Sequence, residues 1–208
     1  MINEAAVLAG AGNTERSACR ILRRLAAAVP ANELIVELGA YKGRTTAWLA
    51  LGAQEGHGAA VLAVDPWDSR PASSWPDDYA DHLAFDTYGR SETREAFEAH
   101  MRRCGATRWA AHRLTAVDAA RLHQSPMVGL LFHDAEHTEE AVRADLDAWL
   151  PHLSATAVVA LHDAGNPRFG VERGAAAVLD TPDWDWAGRT LSRWRKRPDR
   201  RGLLVVRR

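Results

Sequence analysis

Short apolar runs alternate with helix-like stretches along most of the chain. The runs predict five strands, at residues 33–39, 59–65, 109–117, 128–134 and 155–163. Apolar residues at helical spacing predict helices at 14–29, 45–54, 138–153 and from the cap residue Ser91 onward. Because continuous aliphatic runs that alternate with helices are typical of a parallel sheet covered on both faces, the pattern predicts an α/β fold.

The two ends of this pattern carry signals of their own. Thr14 precedes the first predicted helix as a candidate N-cap, and Pro30 ends that helix. Residues 186–208 contain two strand-like runs joined by a charged turn. This arrangement predicts an antiparallel hairpin that closes the sheet.

One segment between the second and third predicted strands departs from the alternation. Residues 68–90 are polar and contain proline, yet they include Trp75, Tyr79, Phe85 and Tyr88. Long loops of this composition usually cover or line binding sites, so we expect 68–90 to form a lid or acceptor-binding loop. A surface insertion that packs its own aromatic side chains is the alternative interpretation.

Length and composition narrow the class of protein. The 208 residues fit a single domain, 1–208, and the net charge of −1 argues against a protein built mainly to bind a polyanion. Cys19 and Cys104 lack motif spacing, which predicts free thiols in a reducing compartment. No apolar stretch approaches the ~18 residues of a membrane span, and the first residues lack the basic region of a signal peptide. We therefore expect a soluble, cytoplasmic protein without membrane contact.

Several predicted strands end in an acid, namely Glu37, Asp65, Asp134 and Asp163. In open α/β sheets, ligands bind beyond the carboxyl ends of the strands. Four carboxylates at one sheet edge would repel each other unless a cationic or hydrogen-bonding ligand lay among them. The pattern therefore indicates a binding site.

The turn after the first strand limits which ligand fits. Gly39 and Gly43 allow close backbone approach, but their spacing lacks the third glycine of a dinucleotide fingerprint and the Lys-Ser/Thr pair of a P-loop. Asp65 suits a ribose diol, since a carboxylate accepts hydrogen bonds from both hydroxyls. A nucleoside without phosphates, with a positive centre near Glu37 and Asp134, fits these features together. S-adenosylmethionine (SAM) is such a ligand.

These motifs resemble those of class I SAM-dependent methyltransferases, specifically the small-molecule O-methyltransferase group called methyltransferase domain 24. The resemblance covers roughly residues 30 to 165 and rests on "VELGAYKGRTT", "AVDPWD" and the longer run "LLFHDAEHTEEAVRADLDAWLPHLSATAVVALHDAG". The family's usual Gly-Gly before the fifth strand is replaced by "SAT" at 154–156. The implied fold is Rossmann-like, with a mostly parallel seven-stranded sheet, an antiparallel C-terminal strand and helices on both faces.

The resemblance also implies a cofactor and the residues that hold it. The implied cofactor is SAM. The implied SAM-binding residues are Glu37, Gly39, Ala40, Tyr41, Gly43, Thr45, Asp65, Trp67, Asp118 and Asp134.

The family signature further implies a divalent metal and a general base. Asp134 and Asp163 match the two strand-end acids that hold the metal in metal-dependent sugar and catechol O-methyltransferases. His162 stands where some relatives carry another acid, and we name it as a third ligand. Mg²⁺ is the expected ion, but an imidazole ligand favours Mn²⁺, Fe²⁺ or Zn²⁺. His137, three residues after the first acid, matches the base that removes the acceptor's hydroxyl proton.

Simpler roles stay open for each of these residues. Asp134 or Thr138 can serve as a helix N-cap, and His137 can be a partly buried histidine bonded to backbone. His162 can face the substrate or support a ligand instead of binding metal. His133 is expected to be structural.

Together these features predict SAM-dependent methyl transfer to a hydroxyl of a small molecule, a sugar or phenol in natural product biosynthesis. A homodimer is one state that the resemblance allows. The first alternative is a nicotinamide-dependent oxidoreductase on the same fold. The second is a non-enzymatic nucleoside- or RNA-binding module that uses the Arg-rich tail, although the net charge makes nucleic acid the less favoured partner. A third is an iron site built from His137, His162 and Asp163.

Overall fold

The computed structural model describes residues 1–67, 90–166, 168–185 and 202–208, with the backbone alone for 90–92. In these ranges the strands are β1 (Leu34–Leu38), β2 (Ala60–Val64), β3 (Trp109–His112), β4 (Val128–His133), β5 (Leu153–Leu161) and β6 (Leu204–Arg207). The helices are α1 (Glu4–Leu8), α2 (Arg16–Ala28), α3 (Arg44–Glu55), α4 (Arg90–Cys104), α5 (Ala116–Leu122), α6 (Glu139–Trp149) and α7 (Val171–Leu179). A short 3₁₀ turn, Leu150–His152, follows α6.

The described strands form one sheet in the order β3-β2-β1-β4-β5-β6. The first five run parallel, and β6 pairs antiparallel with β5. This confirms the predicted mostly parallel sheet with an antiparallel C-terminal strand. The strand order reverses direction between β1 and β4, and such a switch point opens a crevice at the carboxyl ends of the strands.

Helices cover both faces of the sheet, as predicted. Ile35 belongs to a buried cluster with Trp48 of α3 and Phe97 of α4. The next residue along β1, Val36, belongs to a second cluster with Trp149 of α6. Successive strand residues point to opposite faces, so β1 needs apolar residues at consecutive positions. Each buried aliphatic side chain contributes roughly 1.5–3 kcal/mol, so both clusters stabilise the sheet that positions the strand ends.

Three predictions about where strands and helices begin or end differ from the structure. The third strand stops at His112 instead of 117, because the Thr115 side chain accepts from the Asp118 backbone N–H and begins α5. Thr14 is not an N-cap; Glu15 occupies that position before α2 without a side-chain cap bond. Ser91 already lies inside α4 and so does not cap it. Thr138 does cap α6, by accepting from the Ala141 N–H.

Two predictions fall largely outside the described residues. The lid or acceptor loop 68–90 lies there except for Arg90, where α4 begins. The first strand of the predicted C-terminal hairpin, and with it a seventh strand, also lies there. No helix in the described ranges is long and apolar enough to cross a membrane.

The pairing register of the central strands aligns their carboxyl ends with one another. The aligned terminal residues are Val64, Leu38, His133 and Leu161. Backbone hydrogen bonds continue one residue further, from Gly39 N to Val64 O (2.8 Å), from Asp134 N to Leu38 O (2.8 Å) and from His162 N to His133 O (2.9 Å). The residues that immediately follow β1, β4 and β5 are therefore held in one row by backbone geometry.

Candidate active site

Two aspartates and two histidines converge beyond the ends of β4 and β5. The His137 Nε2 atom lies 3.4 Å from Asp163 Oδ2 and 3.8 Å from Asp134 Oδ1. The His162 Nδ1 atom lies 3.1 Å from Asp134 Oδ1 and 3.4 Å from Asp163 Oδ2. The structure thus brings together all four residues that the sequence predicted for the base and the metal.

Burial makes the charges of this cluster depend strongly on one another. Burial by itself lowers the pKa of His137, but the carboxylates of Asp134 and Asp163 outweigh it and raise that pKa to about 9. Burial opposes ionisation of Asp134 as well, yet His162 and His137 lower its pKa to about 2. In the same way the two histidines hold the pKa of Asp163 below its ordinary value. As the cluster stands, protonated imidazoles compensate ionised carboxylates.

The Asp134–His162–Asp163 part of the cluster has the donor set of a cation site. One ligand atom from each residue lies within 4.8 Å of the others. Four of the cluster's buried polar atoms make no hydrogen bond of acceptable geometry with the described residues: His137 Nδ1, His137 Nε2, His162 Nδ1 and Asp163 Oδ1. Buried polar atoms are rarely left so, and convergent orphaned donors and acceptors are a common sign of a missing ligand. The residues present therefore fit a divalent cation.

The N-terminal segment supplies a layer of contacts around this cluster. The Thr14 hydroxyl donates to Asp134 Oδ2 (3.0 Å) and accepts from the Thr45 hydroxyl (3.0 Å). The His162 Nε2 atom lies 2.9 Å from Glu15 Oε2. Sequence reasoning missed Thr14 and Glu15 as site residues, because no motif links them to residues so far along the chain; their only signal was a helix start.

The turn after β1 joins Asp65 to the site. Asp65 accepts from the backbone N–H of Tyr41 (2.9 Å) and from that of Trp67 (2.7 Å). Tyr41 and Trp67 both have positive φ, 47° and 39°. The Asp65 carboxylate therefore fixes two backbone conformations that L-residues rarely adopt.

The two glycines of the turn are required by neighbouring protein atoms. Both have positive φ, 88° at Gly39 and 82° at Gly43. A Cβ at Gly39 would lie 2.2 Å from the Asp134 carbonyl oxygen, and one at Gly43 would lie 2.8 Å from the Phe97 ring. The structure thus explains both glycines by packing of this turn against the Asp134 backbone and against Phe97 of α4, and contact of the turn with SAM stays a prediction.

Two other predicted SAM-binding side chains are engaged within the protein. Trp67 is buried, donates from its indole N–H to the Tyr41 carbonyl (2.9 Å) and packs on Phe97 with ring centroids 5.1 Å apart. Asp118 is half exposed and bonds Thr115 and Arg121 around the start of α5. Ala40 is buried in the glycine turn.

Glu37 is buried beneath the strand-end row. It is 1% exposed, and the Thr46 hydroxyl donates to its Oε2 atom. Burial raises the pKa of Glu37 well above its ordinary value of 4.5; the bond from Thr46 opposes this, and the charges of Asp134 and Asp65 reinforce it. A positive centre nearby would favour the ionised form, so the environment of Glu37 is compatible with the amino end of SAM.

Replacing Glu37 by glutamine tests this electrostatic picture in the ligand-free protein. Because the pKa is raised on folding, the native state holds a proton that the unfolded chain releases, so this group's contribution to stability is lost as pH rises above 4.5. We expect Glu37→Gln to be more stable than the native protein near neutral pH, with the difference shrinking towards pH 4.5. Urea unfolding across this range measures it. The exposed Glu140→Gln is the control, and an equal gain at every pH would contradict the prediction.

His133 has the structural role that the sequence predicted. It is 1% exposed, and its Nε2 atom lies 3.0 Å from Asp145 Oδ2 of α6. This pair lies on the side of β4 that faces α6, so it ties the helix to the strand that carries Asp134.

Comparison with known proteins gives a consistent assignment. A family model described as a methyltransferase domain matches residues 36–164, which is more than half of the chain. No curated protein matches the sequence.

Three solved structures illustrate the fold that the chain shares. Cofactor-bound Rv0187 from MTB has a TM-score of 0.65 and 18% identity, with 98% of this chain and 86% of that chain covered. The calicheamicin methyltransferase CalS11 has a TM-score of 0.63 and 19% identity, with coverage of 92% and 77%. An O-methyltransferase from Bacillus cereus, in complex with SAH, has a TM-score of 0.63 and 15% identity, with coverage of 98% and 86%.

The family match includes the glycine turn, Asp65, Asp134 and Asp163, and the sheet is parallel except for its C-terminal strand, as the sequence predicted. At these identities the solved structures establish the fold alone. The family match adds the activity, and the chain therefore belongs to the methyltransferase-domain family and is a class I SAM-dependent methyltransferase.

Proposed function

We propose that this methyltransferase transfers the methyl group of SAM to a hydroxyl of a small molecule, with help from a divalent metal. The observation that carries the proposal is the convergence of Asp134, His137, His162 and Asp163 beyond the ends of β4 and β5, beside the switch point of the sheet. Ionised carboxylates beside a histidine form the set of groups that deprotonates and orients a hydroxyl.

SAM would be held by the glycine turn and by the acids of β1 and β2. The bonds from Tyr41 and Trp67 orient the Asp65 carboxylate, and a carboxylate has about four lone-pair sites, so it can also accept from ribose hydroxyls. Glu37 supplies the negative charge for the amino end of the cofactor. SAM itself contributes a sulfonium methyl that a nucleophile can displace.

The metal would be held by Asp134 and Asp163, with His162 as a third ligand. Their atoms converge within 4.8 Å, and Asp163 Oδ1 and His162 Nδ1 have no hydrogen bond with the described residues. A divalent cation held there would supply Lewis-acid chemistry, which favours loss of the acceptor's hydroxyl proton. Mn²⁺, Fe²⁺ and Zn²⁺ suit this mixed nitrogen and oxygen donor set better than Mg²⁺ does.

His137 would take the proton from the acceptor hydroxyl as that oxygen attacks the methyl group. In the ligand-free protein its pKa is raised to about 9, so it is protonated at neutral pH and not yet a base. The carboxylates that raise this pKa are the predicted metal ligands. The base assignment therefore depends on the metal assignment, because a bound cation would offset the same negative charge.

The acceptor class is proposed from the site and from the described relatives. A hydroxyl is the group that this base and these ligands activate best. CalS11 is described as a TDP-rhamnose 3'-O-methyltransferase, which supports a sugar hydroxyl, and phenols share the same chemistry. The loop 68–90 would contribute to the acceptor pocket within a single domain, 1–208.

Calorimetry and methyl transfer test this proposal. The metal-stripped protein is titrated with SAM and with NAD⁺, and we expect SAM alone to bind. Labelled SAM is then incubated with the protein, with Mn²⁺ or Mg²⁺ added back, and with phenols, sugars, amines or RNA; each phenol and sugar is run beside a matched compound whose hydroxyl is blocked as a methyl ether. Label should enter the free hydroxyl compounds and not the blocked ones. Binding of NAD⁺ would favour the oxidoreductase alternative, and label found only in amines or RNA would contradict hydroxyl transfer.

A further inference from the structure

We propose that Glu15 is a positioning residue for the metal site: it holds His162 so that the Nδ1 atom of the imidazole is presented to the cation. This inference rests on the proposed function, because it requires a divalent cation between Asp134 and Asp163. It concerns a residue outside the family match, which begins at residue 36.

The geometry around His162 distinguishes its two ring nitrogens. Nε2 is hydrogen-bonded to Glu15 Oε2 at 2.9 Å. Nδ1 faces Asp134 Oδ1 at 3.1 Å and Asp163 Oδ2 at 3.4 Å, without an acceptable hydrogen bond in the described ranges. An ionised carboxylate only accepts, so Nε2 must be the donor in this pair. When the ring is neutral, Nδ1 is then the nitrogen with the lone pair, and it points among the two aspartates.

Glu15 is itself held in place by the start of α2. It occupies the N-cap position, and its carbonyl oxygen accepts from the Cys19 N–H at 3.1 Å. Its carboxylate makes no cap bond to the first turn of its own helix. The side chain reaches His162 instead, which is 2% exposed and so has little freedom to turn.

Thr14, the residue before Glu15, contacts a second predicted metal ligand, Asp134. Its hydroxyl donates to Asp134 Oδ2 at 3.0 Å. Two consecutive residues of the N-terminal segment therefore each contact a different member of the cation site. Partners of this kind orient the ligands of metal sites, and their loss typically weakens metal binding about 10–100-fold.

The consequence is a preference among metals. A histidine fixed with Nδ1 towards the cation adds a nitrogen donor to two carboxylates. Imidazole suits Mn²⁺, Fe²⁺, Co²⁺ and Zn²⁺, whereas Mg²⁺ prefers oxygen ligands. We therefore expect loss of the Glu15 carboxylate to weaken binding of Co²⁺ more than binding of Mg²⁺.

Titration of the metal-stripped, full-length protein with Co²⁺ and with Mg²⁺ tests the inference. Calorimetry gives the affinities, and the visible bands of Co²⁺ report a change in its ligands. We expect Glu15→Ala to lose about 10–100-fold in Co²⁺ affinity and Glu15→Gln, whose amide oxygen can still accept from Nε2, to lose less. Glu4→Ala is the matched control, since Glu4 lies in the same N-terminal segment but pairs with Arg23.

A double-mutant cycle separates positioning from a general loss of folding. In a His162→Ala background, the Glu15→Ala change should have no further effect on Co²⁺ affinity, because the side chain that it orients is gone. Urea unfolding of each variant checks that the protein is folded. Native-like Co²⁺ affinity and spectrum in Glu15→Ala, or additive losses in the double variant, would overturn the inference while leaving metal-assisted methyl transfer intact. If the native protein binds SAM but neither ion, metal assistance fails and this inference fails with it.

Discussion

Replacing Asp163 by asparagine is expected to abolish calorimetric binding of divalent cations and to reduce methyl transfer about 1000-fold, since metal-ion charge stabilisation is worth several kcal/mol. The carboxylate lies 13% exposed between His137 and His162, and its Oδ1 atom has no hydrogen bond among the described residues. Asparagine keeps the shape but removes the charge that a cation requires. It is also the right substitution for the backbone, because Asp163 has φ 58°, a conformation that asparagine adopts more easily than alanine.

The measurement is a pair of titrations, with SAM and with Mn²⁺ or Mg²⁺, followed by the labelled transfer assay. SAM affinity should change little, because the proposed SAM contacts lie in the glycine turn and at Asp65. Asp147→Asn serves as the control: it is a carboxylate of α6 that pairs with Arg143 and is 55% exposed. An unchanged metal heat in Asp163→Asn would show that the cluster is not the cation site.

That outcome would leave a definite alternative for the cluster. Without a cation, two buried imidazoles already balance the ionised carboxylates, which is why the pKa of His137 is raised and that of Asp134 is lowered. Such an ion-pair cluster can stabilise the meeting of β4 and β5 without binding metal. The orphaned atoms Asp163 Oδ1 and His162 Nδ1 favour the cation site, because a purely structural cluster gains nothing by leaving them unbonded.

The sequence predicted the central part of the site because parallel strands impose a simple rule. Each buried strand is an apolar run, and the residue after it emerges at the same edge of the sheet. Asp65, Asp134 and Asp163 could therefore be assigned to one edge from their positions alone. His137 and His162 were found by the resemblance of the run 130–165, and the structure places both within 4 Å of a predicted acid.

The remaining contacts depend on packing between elements that are distant in sequence. Thr14 was interpreted as a helix cap, since a threonine before a helical stretch is typical of one, but its hydroxyl bonds Asp134 instead. The third strand was predicted too long. Apolar residues continue along the chain after its true end, and the cap at Thr115 that begins the next helix was not recognised. The glycines were interpreted through a ligand; Phe97 and the Asp134 carbonyl give a second reason for them within the protein, and their contact with SAM stays a prediction. In each case tertiary contact decided what local pattern left open.

Replacing His137 by alanine is expected to lower methyl transfer about 100–10,000-fold, the usual contribution of a general base, while SAM affinity stays near native. His137 follows Asp134 by three residues, is 8% exposed and packs its ring 4.7 Å from Phe169, so the imidazole is held beside the two aspartates.

The matched control is His112→Ala, which changes an exposed histidine at the end of β3 on the same edge of the sheet. Added imidazole should restore part of the transfer in His137→Ala, because a free base can enter the space that the side chain leaves. Titration of the variant with Mn²⁺ then decides the role: retained metal binding with lost turnover supports the base, whereas lost metal binding would make His137 a ligand. Normal turnover in His137→Ala would remove it from the mechanism altogether.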